Sequence, residues 1–171
     1  MARVKTKTSA RRVVARKPPT KSRAKPLRAA RPKRTAAAQP KQSKQPKQIF
    51  RVSHHSEEDF EIGLRRYAKY RDLGMAKATG NMVQAHVIRF VPPCRPEEVS
   101  KLHYHDVQFQ MVYVLKGWIK TELEGQGPHL MRAGTAWIQP PMIKHKVLDY
   151  SDDCEVLEVI LPADFETVEL T

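Results

Sequence analysis

From Ile49 onward, apolar residues arrive in short bursts separated by Gly, Pro, Asn, Asp or charged turns, and no long stretch shows the three-to-four-residue spacing of an amphipathic helix. RRYAKYR, MVQAHVIRF, QFQMVYVLK, WIKTELE, HLMRA, TAWIQ, HKVLDY and CEVLEVIL are rich in Val, Ile, Tyr and Trp, and each is expected to form a strand. GQG at 125–127 lies between two of them and reads as a hairpin loop. Ser56 before Glu57, Glu58 and Asp59 predicts a capped helical turn. Many short strands at regular spacing predict an all-β sandwich or barrel. Around QFQMVYVLK the pattern is apolar on both faces. Val107, Phe109, Met111, Tyr113 and Leu115 fall on one side, Val112 and Val114 on the other. Such a strand needs two coverings, a barrel interior plus a second sheet or a partner subunit.

Charge divides the chain differently. Residues 1–48 hold 17 of the 31 Lys and Arg and no acid, while the remaining 14 bases face all 18 acids, a formal charge of −4. The overall +13 therefore belongs to the N-terminal segment. With six prolines, no glycine and no aromatic residue, residues 1–48 cannot bury enough area to offset the entropy of ordering. They are expected to be a disordered basic tail, followed by a linker with a short helix over 49–65 and a β-domain over 66–171. Three roles compete for the tail. It is a solubilising extension, a weak and salt-dependent nucleic-acid anchor, or an organelle transit segment. The transit reading suits the Arg-rich start better than the Lys/Pro/Gln run that follows.

Two cysteines without CxxC spacing, no apolar secretory segment and no apolar run of about 20 residues point to a cytoplasmic protein that does not enter a membrane.

Candidate chemistry sits where the strand pattern is interrupted by polar groups. In an extended strand, residues two apart share a face about 7 Å apart, so His103 and His105 can converge on one ion. Gln110 follows on a strand entering the core, where a buried amide needs a partner. A neighbouring strand or a metal would each supply one. Further along, GTAWIQPPMIKHKVLD (134–149) turns at Pro140-Pro141 and enters a strand at His145.

These two segments resemble the paired motifs of the cupin superfamily. His103, His105, Gln110 and Gly117 match the first motif, and Gly134, Pro140 and His145 match the second, with Met142 in place of its glycine and Asp149 in place of its asparagine. The resemblance covers roughly residues 66–162. It implies a small jelly-roll barrel, commonly dimeric, with one divalent transition metal (Fe, Mn, Ni, Zn or Cu) held by His103, His105, Gln110 and His145. The chain departs from the pattern at Glu97, where the leading glycine is replaced, and at Gln110, where an acid is usual. The same amide occurs in a subset that includes uronate-cyclising enzymes. No arginine follows Arg132, so the carboxylate clamp that many relatives carry near the C-terminus is not expected.

Four uncharged donors would leave the full double charge of the ion in a low-dielectric interior, which favours a small anionic or oxygenated ligand. Gln110→Glu is then expected to keep or tighten metal binding while weakening anions. The wall around the site is expected to include Val112, Val114, Met142 and Trp137. His86, Tyr104 and Asp149 are the candidates for proton transfer, although a lone strand histidine is more often a hydrogen-bonded structural group. Two functions follow. One is a metal-dependent enzyme, dioxygenase-like or isomerase/lyase-like. The alternative is a non-catalytic metal or small-ligand binding module whose basic tail binds nucleic acid.

Overall fold

A computed structural model describes residues 46–63 and 65–170; the segment expected as a tail lies outside the described residues except for 46–48. Eleven strands form two antiparallel sheets. In chain order they are β1 (Glu61–Ile62), β2 (Ala68–Asp72), β3 (Gln84–Phe90), β4 (His103–Asp106), β5 (Phe109–Lys116), β6 (Trp118–Leu123), β7 (Gly127–Arg132), β8 (Ala136–Ile138), β9 (His145–Tyr150), β10 (Glu155–Leu161) and β11 (Glu166–Glu169). One sheet runs β1-β2-β3-β10-β5-β8 and the other β11-β4-β9-β6-β7. The order is non-sequential in both. β4 is thereby paired with β9 and β11, and β9 with β4 and β6, all distant in the chain.

All eight predicted strands are present; β4, which carries the HYH stretch read as extended, is a ninth, and the short strands β1 and β11 are additional. Both lie at sheet edges, where burial leaves no strong alternation to read. Among the described residues helix is confined to α1 (Met75–Thr79), α2 (Pro96–Val99) and a 3₁₀ turn at Glu57–Asp59. Ser56 caps that turn by accepting from the Glu58 amide at 3.3 Å. The stretch expected as a linker therefore holds both this turn and β1, which pairs with β2.

The core forms where the two sheets face each other. Phe90, Val112, Val114, Ile119, Leu123, Met131 and Val156 are buried in one cluster. On β5 the alternation is sharp, with Gln110, Val112 and Val114 inward, while Tyr113 and Leu115 are exposed on the opposite face. Val147, half-buried on β9, packs against the same cluster. Gly117, between β5 and β6, adopts φ 65°, and a Cβ there would collide with the Ser151 hydroxyl and the Asp153 carboxylate. The turn that closes the first motif is thus restricted to glycine on two counts. Met142, by contrast, holds φ 63° with a full side chain, so it bears the left-handed strain that glycine avoids. Its side chain is 48% exposed, which corrects the expectation that it walls the interior. The turn points it outward.

Neither cysteine is paired. Burial pushes the Cys154 thiol up to about 12 and the Cys94 thiol up to about 11, so both stay protonated and poorly nucleophilic. Among the described residues no helix is long and apolar enough to cross a membrane.

Candidate metal centre

His103 and His105 alternate along β4 onto the inner face, and His145 is the first residue of β9. The register places His103 directly opposite His145. The two motifs are also tied through the backbone, because the Met142 amide donates to the His105 carbonyl at 3.1 Å. That bond anchors the Pro140–Ile143 turn against β4 and sets the angle at which His145 enters the sheet. The result is a cluster in which one ring nitrogen from each histidine lies within 4.8 Å of the other two.

Each imidazole is held from behind. Nδ1 of His103 meets the Lys101 carbonyl at 2.9 Å, and Nδ1 of His145 meets the Ile143 carbonyl at 2.9 Å. A carbonyl only accepts, so both Nδ1 atoms carry hydrogen and both Nε2 atoms present a lone pair. His105 Nδ1 pairs with the Thr167 hydroxyl at 2.9 Å, which gives β11 a role in orienting the ring. Burial depresses all three. His103 falls to about 3, further lowered by the neighbouring His145, and His105 falls to about 4; His145 is lowered for the same reason, burial. At neutral pH the cluster is three uncharged imidazoles.

This donor set fits a transition metal. Nitrogens about 2.1 Å from one ion stand roughly 3–3.5 Å apart, which small ring rotations reach from the observed spacing. One internal hydrogen bond competes. The Gln139 amide nitrogen lies 3.0 Å from His145 Nε2 and donates onto its lone pair, while the Gln139 oxygen accepts from the Trp137 indole at 3.2 Å. A metal must displace the first bond. Gln139→Leu is therefore expected to tighten metal binding about threefold to tenfold, the size of one net hydrogen bond. Competition titration against a chromophoric chelator measures it. Weaker binding in the variant would instead make the Gln139 oxygen a metal donor.

Gln110 is 1% exposed and faces inward from β5, in the opposite sheet to the histidines. Its amide nitrogen donates to Glu158 Oε1 on β10 at 2.6 Å. A carboxylate accepts and does not donate, so this bond fixes the amide orientation and commits its nitrogen, while Gln110 itself is not among the residues lining the histidine cavity. Glu158 Oε2 pairs with His86 Nε2 at 2.6 Å. Burial opposes ionisation of Glu158, but the bonds from His86 and Gln110 outweigh it and hold the carboxyl below its usual range. His86 is thus the hydrogen-bonded partner of a buried carboxylate. Asp149 is exposed and bonds to the Tyr150 amide, away from the cavity.

A cavity of about 110 Å³ lies against the cluster, lined by the three histidines and by Arg65, Gln139 and Glu158 among its polar groups. Val112, Trp137 and Val147 contribute apolar wall. Neither Arg65 nor Glu158 was legible as a site residue. Arg65 lies in a bend before β2 with no motif around it, and Glu158 occupies one position of a strand that otherwise reads as core.

Two antiparallel sheets closed over a buried histidine cluster define the class: a double-stranded β-helix barrel able to hold a metal. Residues 94–160 match the family model for the cupin domain, and the fold is that of the cupin superfamily. Among solved structures it is similar to KdgF from Halomonas sp., with 20% identity, a TM-score of 0.51, and coverage of 64% of this chain and 94% of that one. The polyketide cyclase RemF from Streptomyces resistomycificus gives 18% identity, a TM-score of 0.58, and coverage of 72% and 87%. Oxalate decarboxylase from Bacillus subtilis gives 18%, 0.53, 72% and 34%, so this chain spans about a third of that protein's length. At these identities the likeness is one of fold. No curated protein matches the sequence.

Proposed function

We propose that this cupin binds one divalent transition metal through His103, His105 and His145, with the Gln110 oxygen as fourth donor, and acts on a small anionic or oxygenated molecule. The reaction is of the oxygenase or the isomerase/lyase kind. The observation that supports this reading is a set of three neutral imidazoles, two buried and one half-buried, each anchored at Nδ1 and each with a ring nitrogen within 4.8 Å of the other two. A divalent ion there supplies a Lewis acid and, where it is redox-active, a partner for electron exchange. The chain's own residues do the rest. Gln139 and Trp137 form a hydrogen-bonded pair beside His145, and Val112, Ile119 and Val147 keep bulk water from the cavity. The His86–Glu158–Gln110 chain holds a negative charge one hydrogen bond behind the fourth donor.

The test is elemental analysis of untagged protein purified without chelators, followed by anaerobic iron loading and oxygen uptake with a panel of small carboxylates. One metal per chain supports the reading, and oxygen uptake would select the oxygenase branch. Protein that stays metal-free through purification and reconstitution would end it.

Glu158 changes what a carboxylate at position 110 does. Gln110→Glu alone would set two carboxylates in contact, and one would take up a proton. The paired exchange Gln110→Glu with Glu158→Gln keeps the hydrogen bond and moves the charge next to the ion. It is expected to hold metal at least as tightly as wild type and to weaken small anions about tenfold, as read by calorimetric titration.

A homodimer belongs to the same reading. Met111, Tyr113 and Leu115 on β5 share a face with Ile138 on β8, and Tyr113, Leu115 and Ile138 are exposed there. That apolar face is where a second copy would pack.

A further inference from the structure

Arg65 is the one cation among the residues lining the histidine cavity. Its side chain is 11% exposed, and its Nη2 is buried without a hydrogen-bond partner among the described residues. The nearest acid, Glu169 Oε1, stands 3.3 Å from Nη2 but outside hydrogen-bond geometry, and that carboxylate is 46% exposed. The Tyr67 ring lies 5.9 Å from the guanidinium carbon, a contact that supports the group without accepting from Nη2. A buried guanidinium N–H with no acceptor is costly, and proteins keep few of them. Arg65 also lines two outer clefts, one with Glu97, Lys101 and Glu169 and one with His86, Phe165 and Thr167. It therefore stands where the interior meets the surface.

We propose that Arg65 is the specificity-determining residue of this site, its free N–H donating to the carboxylate of a small acid that occupies the cavity beside His103, His105 and His145. The inference rests on the reading above and names its ligand class. The bend before β2 supplies the cation that is missing from the C-terminal strands. With Glu158 the only acid lining the cavity among the described residues, an ion plus Arg65 leaves an excess of positive charge that a carboxylate neutralises.

Size narrows the class further. At roughly 10–15 Å³ per water-sized position, 110 Å³ holds on the order of eight such positions, one of which the ion would take. An acid with about half a dozen non-hydrogen atoms fits.

The test compares pyruvate with its neutral isostere pyruvamide on metal-loaded and on metal-free protein, by calorimetric titration, with metal content measured on each sample. Arg65→Met is expected to weaken pyruvate about tenfold to a hundredfold, to change pyruvamide by less than about twofold, and to leave metal stoichiometry unchanged. Arg65→Lys is expected to recover part of the loss, and Glu169→Gln, which removes only the neighbouring acid, to leave pyruvate affinity in place. Pyruvate affinity unaltered by Arg65→Met on metal-loaded protein overturns the proposal, as does equal loss for both ligands, or a wild-type protein that binds no small carboxylate. Wild-type protein that takes up no metal, yet shows Arg65-dependent pyruvate binding, keeps this inference and removes the metal reading instead.

Discussion

Alanine at both His103 and His145 is expected to abolish metal binding, taking the protein from one ion per chain to less than about a tenth. The two residues are a directly opposed cross-strand pair, and each presents an Nε2 lone pair because its Nδ1 is engaged by a carbonyl. Of the four proposed donors, their removal leaves only His105 and the Gln110 oxygen, one from each sheet. Two neutral donors seldom hold a divalent ion against water, so affinity should fall by at least about a thousandfold. The fold should persist. Both imidazoles are neutral, and their removal strands no buried charge, although it opens space and exposes two backbone carbonyls to solvent. Elemental analysis after dialysis, with far-ultraviolet circular dichroism as the control for folding, measures the outcome. Stoichiometric metal in a folded double variant would sink the ligand assignment.

Metal-free protein is expected to lose stability steeply as pH falls from about 6.5 towards 4. The unfolded chain titrates its histidines near 6.5, whereas the native state holds His103 at about 3 and His105 at about 4, with His145 also lowered, all chiefly through burial. Above pH 6.5 both states carry neutral imidazoles and the shifts have no effect. Below it the unfolded chain binds protons that the native chain refuses, so the equilibrium moves towards unfolding, and the stability present at neutral pH disappears as pH approaches the native values. Each histidine contributes on the order of 1 kcal/mol per pH unit, and three together are large against a typical total of about 5–15 kcal/mol. Urea midpoints of chelator-treated protein at pH 7, 6 and 5 should decline accordingly. His103→Gln, which removes one of the titrating groups, should flatten the decline by about a third. A midpoint independent of pH over that interval would contradict the burial of the cluster.

Much of the site was legible because strand chemistry is local. HYH alternates onto one face whatever lies beyond it, and Pro140-Pro141 turns the chain just before His145 in any context. The two-sided character of β5 was equally visible, and its inward set of Gln110, Val112 and Val114 follows from period two alone. What could not be read was the identity of each residue's partner. Gln110 admitted a neighbouring strand or a metal, and the structure gives its nitrogen to Glu158 while leaving its oxygen uncommitted. His86, weighed as a catalyst, is bonded to the same carboxylate. Met142, placed in the wall by its motif position, is turned outward by a positive φ.

Taken alone, the sequence determined the all-β class, the strand positions, the basic N-terminal segment and the two histidine motifs, because each depends on residues within a few positions of one another. The tertiary structure alone decided that His103 faces His145, that a carboxylate from β10 stands behind Gln110, and that an arginine from before β2 reaches the same cavity. Those placements depend on the non-sequential strand order, through which sheet pairing joins residues far apart in the chain.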